Sequence, residues 1–204
     1  MSHLPISDYG LLSDCRSAAL VSREGSVDWL CFPRFDQPSV FARILDANAG
    51  HWSIKPVGDF TTERRYFEDT LVLTTTFKTA SGTAILVDAL AVGRNERGHD
   101  LGHGATSTLL RTISGVGGEV EVELELAVRP EYGLILPLLE EVDGGVRIRG
   151  GAAQMRLCAP HSVEIDEFTV RRRWTVRDGD VFGFALQHRT TSDEPPELWT
   201  QDEI

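Results

Sequence analysis

From Glu119 to Val128 the chain alternates between polar and apolar residues: Glu119, Glu121, Glu123 and Glu125 take one parity, and Val120, Val122, Leu124 and Leu126 the other. Period-two alternation predicts a half-buried strand with one wet face and one packed face. Ala18–Ser22 and Val27–Cys31 flank Arg23-Glu24-Gly25-Ser26 and read as a hairpin, with Gly25 available for the tight turn. A β-branched run over Thr70–Thr79 turns at Ala80-Ser81-Gly82 into Thr83–Leu90, a second hairpin. Further strands are predicted at Leu109–Ser114, Leu134–Val142, Val146–Arg149, Gln154–Leu157, Phe168–Val176 and Val181–His188. Asp143-Gly144-Gly145 and Arg177-Asp178-Gly179-Asp180 are turns among them.

Helical signal is confined to Ser39–Leu45, where Ser39 follows Pro38 as an N-cap, Val40, Phe41, Ile44 and Leu45 are apolar, and Gly50 lies a few residues on. The expectation is therefore an all-β, antiparallel β-sandwich with one short helix and long loops, Gly93–Gly104 being the longest. From Arg189 the chain turns polar and proline-bearing, so 1–188 reads as a β-sandwich domain and 189–204 as a linker-like tail.

At 204 residues, with 41% hydrophobic and 25% charged, the chain is long enough to bury a core without disulfide or metal staples. Twenty Lys and Arg against 31 Asp and Glu leave a net charge of −11, a field that repels nucleic acid and anionic membranes. Four of those carboxylates are the wet face of one strand. The longest apolar runs, such as Leu134–Leu139, fall far short of the roughly 20 residues that span a bilayer. The N-terminus carries no secretion-signal pattern, so the expected location is cytoplasmic. Cys15, Cys31 and Cys158 have no metal-site spacing and read as buried reduced thiols.

No P-loop, GxSxG or HExxH motif is present, and no cofactor is implied. His99-Asp100-Leu101-Gly102-His103 lies in a Gly-rich loop rather than on a helix, and reads as solvated loop rather than metal site. Glu140 and Glu141 are strand neighbours on opposite faces and cannot flank one substrate. The densest unusual stretch is Trp29–Pro38. Two prolines stiffen it, three aromatics offer flat apolar faces of the kind sugars stack on, and Arg34 and Asp36 stand two residues apart. It suits a polyol contact, or a core plug tied to its own backbone.

The stretches Ser7–Val21 and Gly25–Phe41, with Asp28-Trp29-Leu30-Cys31-Phe32-Pro33-Arg34-Phe35-Asp36 at their centre, resemble the opening of glycoside hydrolase family 15. They are most similar to its bacterial glucoamylase-like and trehalase-like members. Arg129-Pro130-Glu131-Tyr132-Gly133 resembles a second family landmark, a corner that ends a strand. The resemblance implies an N-terminal sandwich of the supersandwich type followed by a catalytic (α/α)6 barrel. That barrel carries two glutamates that cleave α-linked glucosides with inversion. No residue here matches those glutamates, so no catalytic residue is assigned, and the 204-residue chain alone is expected to be inactive. The resemblance further implies that the Phe32–Pro38 loop leans toward the barrel's mouth. Trp29, Pro33, Arg34, Phe35 and Asp36 are then candidate rim contacts to trehalose or an α-linked gluco-oligosaccharide. Two rival readings stand beside this accessory role: a free-standing carbohydrate-binding module, and a scaffold or homo-oligomerisation domain.

Overall fold

The computed structural model describes residues 4–93, 96–160, 162–190, 199–201 and 204. Its strands follow in the order β1 (Tyr9–Ser13), β2 (Ala18–Ser22), β3 (Ser26–Cys31), β4 (Ser39–Ala42), β5 (His51–Pro56), β6 (Thr61–Tyr66), β7 (Leu73–Lys78), β8 (Gly82–Leu90), β9 (Thr108–Ala127), β10 (Leu138–Val142), β11 (Gly145–Gly150), β12 (Ala153–Cys158), β13 (Glu164–Asp166), β14 (Thr169–Arg177) and β15 (Val181–Thr190). Every strand pair is antiparallel, and the strands fall into two sheets that share β9. The first runs β1-β2-β3-β5-β9-β14-β13, with β5 pairing the start of β3 and β4 its end. The second runs β6-β7-β8-β9-β15-β12-β11-β10. The expected all-β sandwich is the architecture found.

β9 explains how one strand serves both sheets. Its first part pairs with β8 and β15, and its last part with β5 and β14. Buried positions change parity on the way, from Leu109, Arg111 and Ile113 to Val120, Val122, Leu124 and Leu126. The switch falls at Gly115, Gly117 and Gly118. A Cβ on Gly115 would stand 2.0 Å from the Arg177 carbonyl oxygen, and Gly118 has φ +67 with Ser81 O 2.1 Å from where its Cβ would be. Only glycine lets the chain cross there. The sequence shows two strands, Leu109–Ser114 and Glu119–Val128; the structure joins them.

The acidic face of β9 is wet and also partnered. Arg171 bonds Glu125 at 3.0 Å, Arg173 bonds Glu123 at 2.9 Å and Arg177 approaches Glu119 at 3.7 Å, all from the neighbouring β14. From β5 on the other side, Lys55 lies 3.9 Å from Glu123 and His51 3.0 Å from Glu125.

The expected helix at Ser39–Leu45 is corrected to strand β4. Its four residues are all buried, so there is no polar face for a helix to show solvent. Their backbone is claimed by neighbours: Phe41 registers with Leu30 on β3, and the Val40 carbonyl accepts the Arg129 N–H at 3.0 Å. Residues 42–49 then coil in short turns. Among the described residues the only helical pieces are 3₁₀ turns at Ile6–Asp8 and Gly98–Asp100. None is long and apolar enough to cross a membrane.

Two further boundaries move. The expected Leu134–Val142 strand begins only at Leu138, because the Leu134 and Ile135 N–H groups bond back to Glu131 and Pro130. The Thr70–Thr79 strand begins at Leu73, since the Thr70 hydroxyl oxygen captures the Val72 N–H at 3.2 Å. The thiols also divide. Cys31 and Cys158 are buried, but Cys15 is exposed, at φ 67 in the turn between β1 and β2. That turn is held by the Asp14 carboxylate, which accepts the Arg16 and Ser17 N–H groups, and the residue at its tip faces solvent.

Candidate functional site

The Phe32–Pro38 loop leaves β3 through the buried Phe32, whose ring lies 5.7 Å from that of His188. Its backbone is pinned where the Phe35 N–H donates to the Arg16 carbonyl at 2.8 Å, and it turns where Gln37 N–H meets Arg34 O at 3.1 Å. Arg34 grips Asp36 with two parallel bonds, Nε to Oδ1 at 3.0 Å and Nη2 to Oδ2 at 2.7 Å. This fork joins residues i and i+2 and leaves Phe35 between them 69% exposed. Pro33 is half-buried beside it. Trp29 stands apart on the body of β3, half-buried, with its ring 6.3 Å from that of Tyr132.

Tyr132 belongs to the corner that ends β9. Arg129 builds it: its Nη1 donates to the Val128 and Phe168 carbonyls, each at 2.8 Å. Burial pulls the Arg129 pKa down. Glu131, Tyr132 and Gly133 then take φ of 55, 58 and 93 in succession, a left-handed run that two non-glycine residues adopt only under constraint. The constraint is visible. Tyr132 N–H reaches Ser39 O, and Gly133 passes so close to Ala49 that a Cβ would meet it at 2.8 Å. Two segments about ninety positions apart in sequence thus form one end of the molecule.

Between them lies a groove of about 110 Å³, lined by Pro33, Ser39, Pro130, Glu131, Ala153 and His188 among others. Ser39 is fully buried and its hydroxyl has no protein partner. Beyond the corner Leu134, Leu136 and Leu138 stand 83%, 57% and 60% exposed. Among the described residues Glu131 is the one carboxylate that lines the groove, and no second carboxylate of these residues pairs with it there. The end suits contact with an apolar surface. Both halves have a sequence signal, the aromatic loop in Pro33–Asp36 and the landmark Arg129–Gly133, but nothing local shows that they meet.

A second cluster draws on residues far apart in the chain. Asp28, nearly buried, accepts bonds from the Tyr9 hydroxyl at 3.1 Å and from Ser26 Oγ, and Arg43 Nη1 lies 3.8 Å away. Burial, and then the Asp28 charge, push the Tyr9 phenol up to about 12. These groups wall a pocket of about 220 Å³ and satisfy one another. A lone Asp between Val27 and Trp29, inside a run that otherwise packs, was the available sign.

The remaining candidates are placed simply. His99 and His103 are exposed, in a loop that the Glu96 carboxylate closes by accepting the Gly102 and Gly104 N–H groups. Those bonds, Gly104's first, hold the Glu96 pKa down. No group of three metal-binding side chains gathers among the described residues. Glu140 pairs with Arg147 at 2.9 Å and lies 3.7 Å from Arg149, both on the adjacent strand.

Two sheets sharing one bent strand, with an aromatic loop and a left-handed corner joined at one end, define an all-β module. The chain belongs to the trehalase-like N-terminal domain family, whose model matches residues 1–173. It is 44% identical over 138 residues to a trehalase of Mycolicibacterium smegmatis, covering 63% of this chain and 21% of that protein. It is 34% identical over 215 residues to a trehalase of Mycobacterium tuberculosis, covering 97% of this chain and 31% of that one. Trehalase 1 of Sulfolobus acidocaldarius is 33% identical over 167 residues, covering 80% and 26% respectively. The chain therefore spans between a fifth and a third of the length of these relatives.

Proposed function

We propose that this chain is the accessory N-terminal sandwich of an inverting α-glucoside hydrolase of the trehalase type, within glycoside hydrolase family 15. In this reading residues 1–188 are the sandwich, 189–204 lead out of it, and an (α/α)6 barrel elsewhere in the parent protein performs the chemistry. The sandwich covers one side of that barrel and shapes its rim. One observation carries the reading: the two family-like segments meet at a single end that exposes the large apolar side chains of Phe35, Tyr132, Leu134, Leu136 and Leu138 beside the Arg34–Asp36 pair. Such a patch is what a neighbouring module buries. Pro33, Arg34, Phe35 and Asp36 are the rim loop, the Arg34–Asp36 fork holding Phe35 outward, and Trp29 supports Tyr132 behind it. Cys31, a buried thiol outside any disulfide, accords with a cytoplasmic location.

The test is complementation. This chain is mixed with the portion of the Mycobacterium tuberculosis trehalase beyond its matched region, and complex formation and glucose release from trehalose are followed. A complex with hydrolysis above that of the barrel portion alone is expected, weakened by Phe35→Ser or Leu136→Ser. The pure chain should release no glucose. A folded chain that neither binds the barrel portion nor raises its activity removes the reading.

The exposed Phe35 ring also favours a second role, direct sugar contact. Titration calorimetry with trehalose and maltooligosaccharides would show heat lost in Phe35→Ala, and no heat across that panel leaves the docking role alone.

A further inference from the structure

β15 has a strand on each side for only part of its length. β9 pairs with Val181–Gln187 on one side, while β12 pairs with Ala185–Thr190 on the other and stops at Cys158. Pro160 follows two residues later and has no N–H with which to extend a ladder. In an antiparallel strand, alternate residues turn both backbone groups to the same neighbour. Gly183, two residues before Ala185, therefore presents its N–H and C=O to the side that β12 has left. Unpaired groups of this kind invite another segment.

Gln201 takes that place. Its Oε1 accepts the Gly183 N–H at 2.9 Å and its Nε2 donates to the Gly183 carbonyl at 3.0 Å. A primary carboxamide offers the donor and acceptor of a peptide unit, so one side chain continues the ladder by one rung. Ile204 lies against the same glycine, its Cγ2 2.7 Å from where a Cβ would stand. The Ile204 N–H donates to the Thr200 carbonyl at 3.3 Å, which ties Ile204 to the residue before Gln201. The distance is within reach. The seven steps of β15 from Gly183 to Thr190 measure about 23 Å, and the eleven steps from Thr190 to Gln201 can span about 36 Å.

We propose that Gln201 and Ile204 form a clip that docks the chain after the sandwich onto the open half of β15. The chain then departs from a fixed point beside Gly183 instead of swinging freely from Thr190. In a longer protein the clip would set the direction from which the next module approaches the sandwich.

Amide exchange and ¹⁵N relaxation on the full chain test it. Gln201→Ala should speed exchange of the Gly183 amide roughly tenfold, the loss of about one hydrogen bond, while the Ile113 amide on β9 keeps its rate and reports an intact fold. Gly183→Ala leaves Gln201 in place but fills the space of Ile204, and should lower the Ile204 amide order parameter below about 0.6. Equal Gly183 exchange in the parent and in Gln201→Ala would overturn the clip. So would an Ile204 amide that is already that mobile in the parent.

Discussion

Arg111 on β9 and Asp88 on β8 form an ion pair at 2.8 Å with neither side chain exposed to solvent. Arg111 spends its other donors on the opposite sheet, bonding Trp52 O at 2.5 Å and Gly25 O at 2.7 Å, with its guanidinium 5.1 Å from the Trp52 ring centre. One side chain thus bolts the two sheets together. Burial pushes the Asp88 carboxyl up while the Arg111 charge draws it down. Arg111→Met strands that carboxylate and leaves the two carbonyls without this donor, and should cost about 3–5 kcal/mol in guanidinium unfolding. Arg111→Met combined with Asp88→Leu should recover most of the loss. A single-variant cost below about 1 kcal/mol would refute the bolt.

Glu125 sets a pH dependence. The bond from His51 is the largest influence and, with Arg171, holds its carboxyl at about 2 despite partial burial. A carboxyl depressed in the folded state adds stability above its unfolded pKa of about 4.3, and that stability is lost as pH falls toward 2. With the group about one-third exposed, screening reduces the effect to about 1 kcal/mol. Urea midpoints measured between pH 5 and 2 should fall more steeply for the parent than for Glu125→Gln.

The β14 arginines should matter less than their number suggests. Arg173 is 65% exposed where it meets Glu123, so Arg173→Ala should cost less than about 1 kcal/mol. Repeating the comparison in 1 M sodium chloride should erase most of that difference, because exposed pairs are screened within a few ångströms at that strength. A salt-independent cost would mean that the side chain acts through packing instead.

Thiol chemistry should separate the cysteines. Cys15 is exposed, whereas burial pushes the Cys31 thiol up to about 11 and Cys158 is sealed in the core. One thiol per chain should react with a disulfide reagent under native conditions, and all three after denaturation. Cys15→Gly should abolish the native reaction and leave the fold at least as stable, since φ 67 suits glycine. Two fast thiols in the native chain would contradict this placement of the core.

Strands that put one face to water were legible because period-two alternation is a local consequence of packing one face; Glu119–Val128 is the clearest case. Strands without that contrast were not. β4 and β5 are buried on both faces, and the edge strand β6 is polar throughout, so neither kind alternates. Arg111 and Asp88 did leave a trace, each sitting in parity with core residues: Leu109 and Ile113 beside the one, Leu86 and Leu90 beside the other. A charge on the core parity of two strands is the mark of a buried pair, though it does not say which partners meet.

The sequence by itself determined the all-β class, the turns at Gly25 and Gly144, the wet acidic face and the aromatic loop at Pro33–Asp36, since each follows from contacts within a few residues. Tertiary structure alone decided that Ser39–Ala42 is a strand, that β9 crosses between sheets, that Trp29 meets Tyr132, and that Gln201 reaches Gly183. Those outcomes depend on backbone hydrogen bonds and close approaches between segments far apart in the chain. A local pattern carries the preference of each segment, but not the neighbour that overrides it.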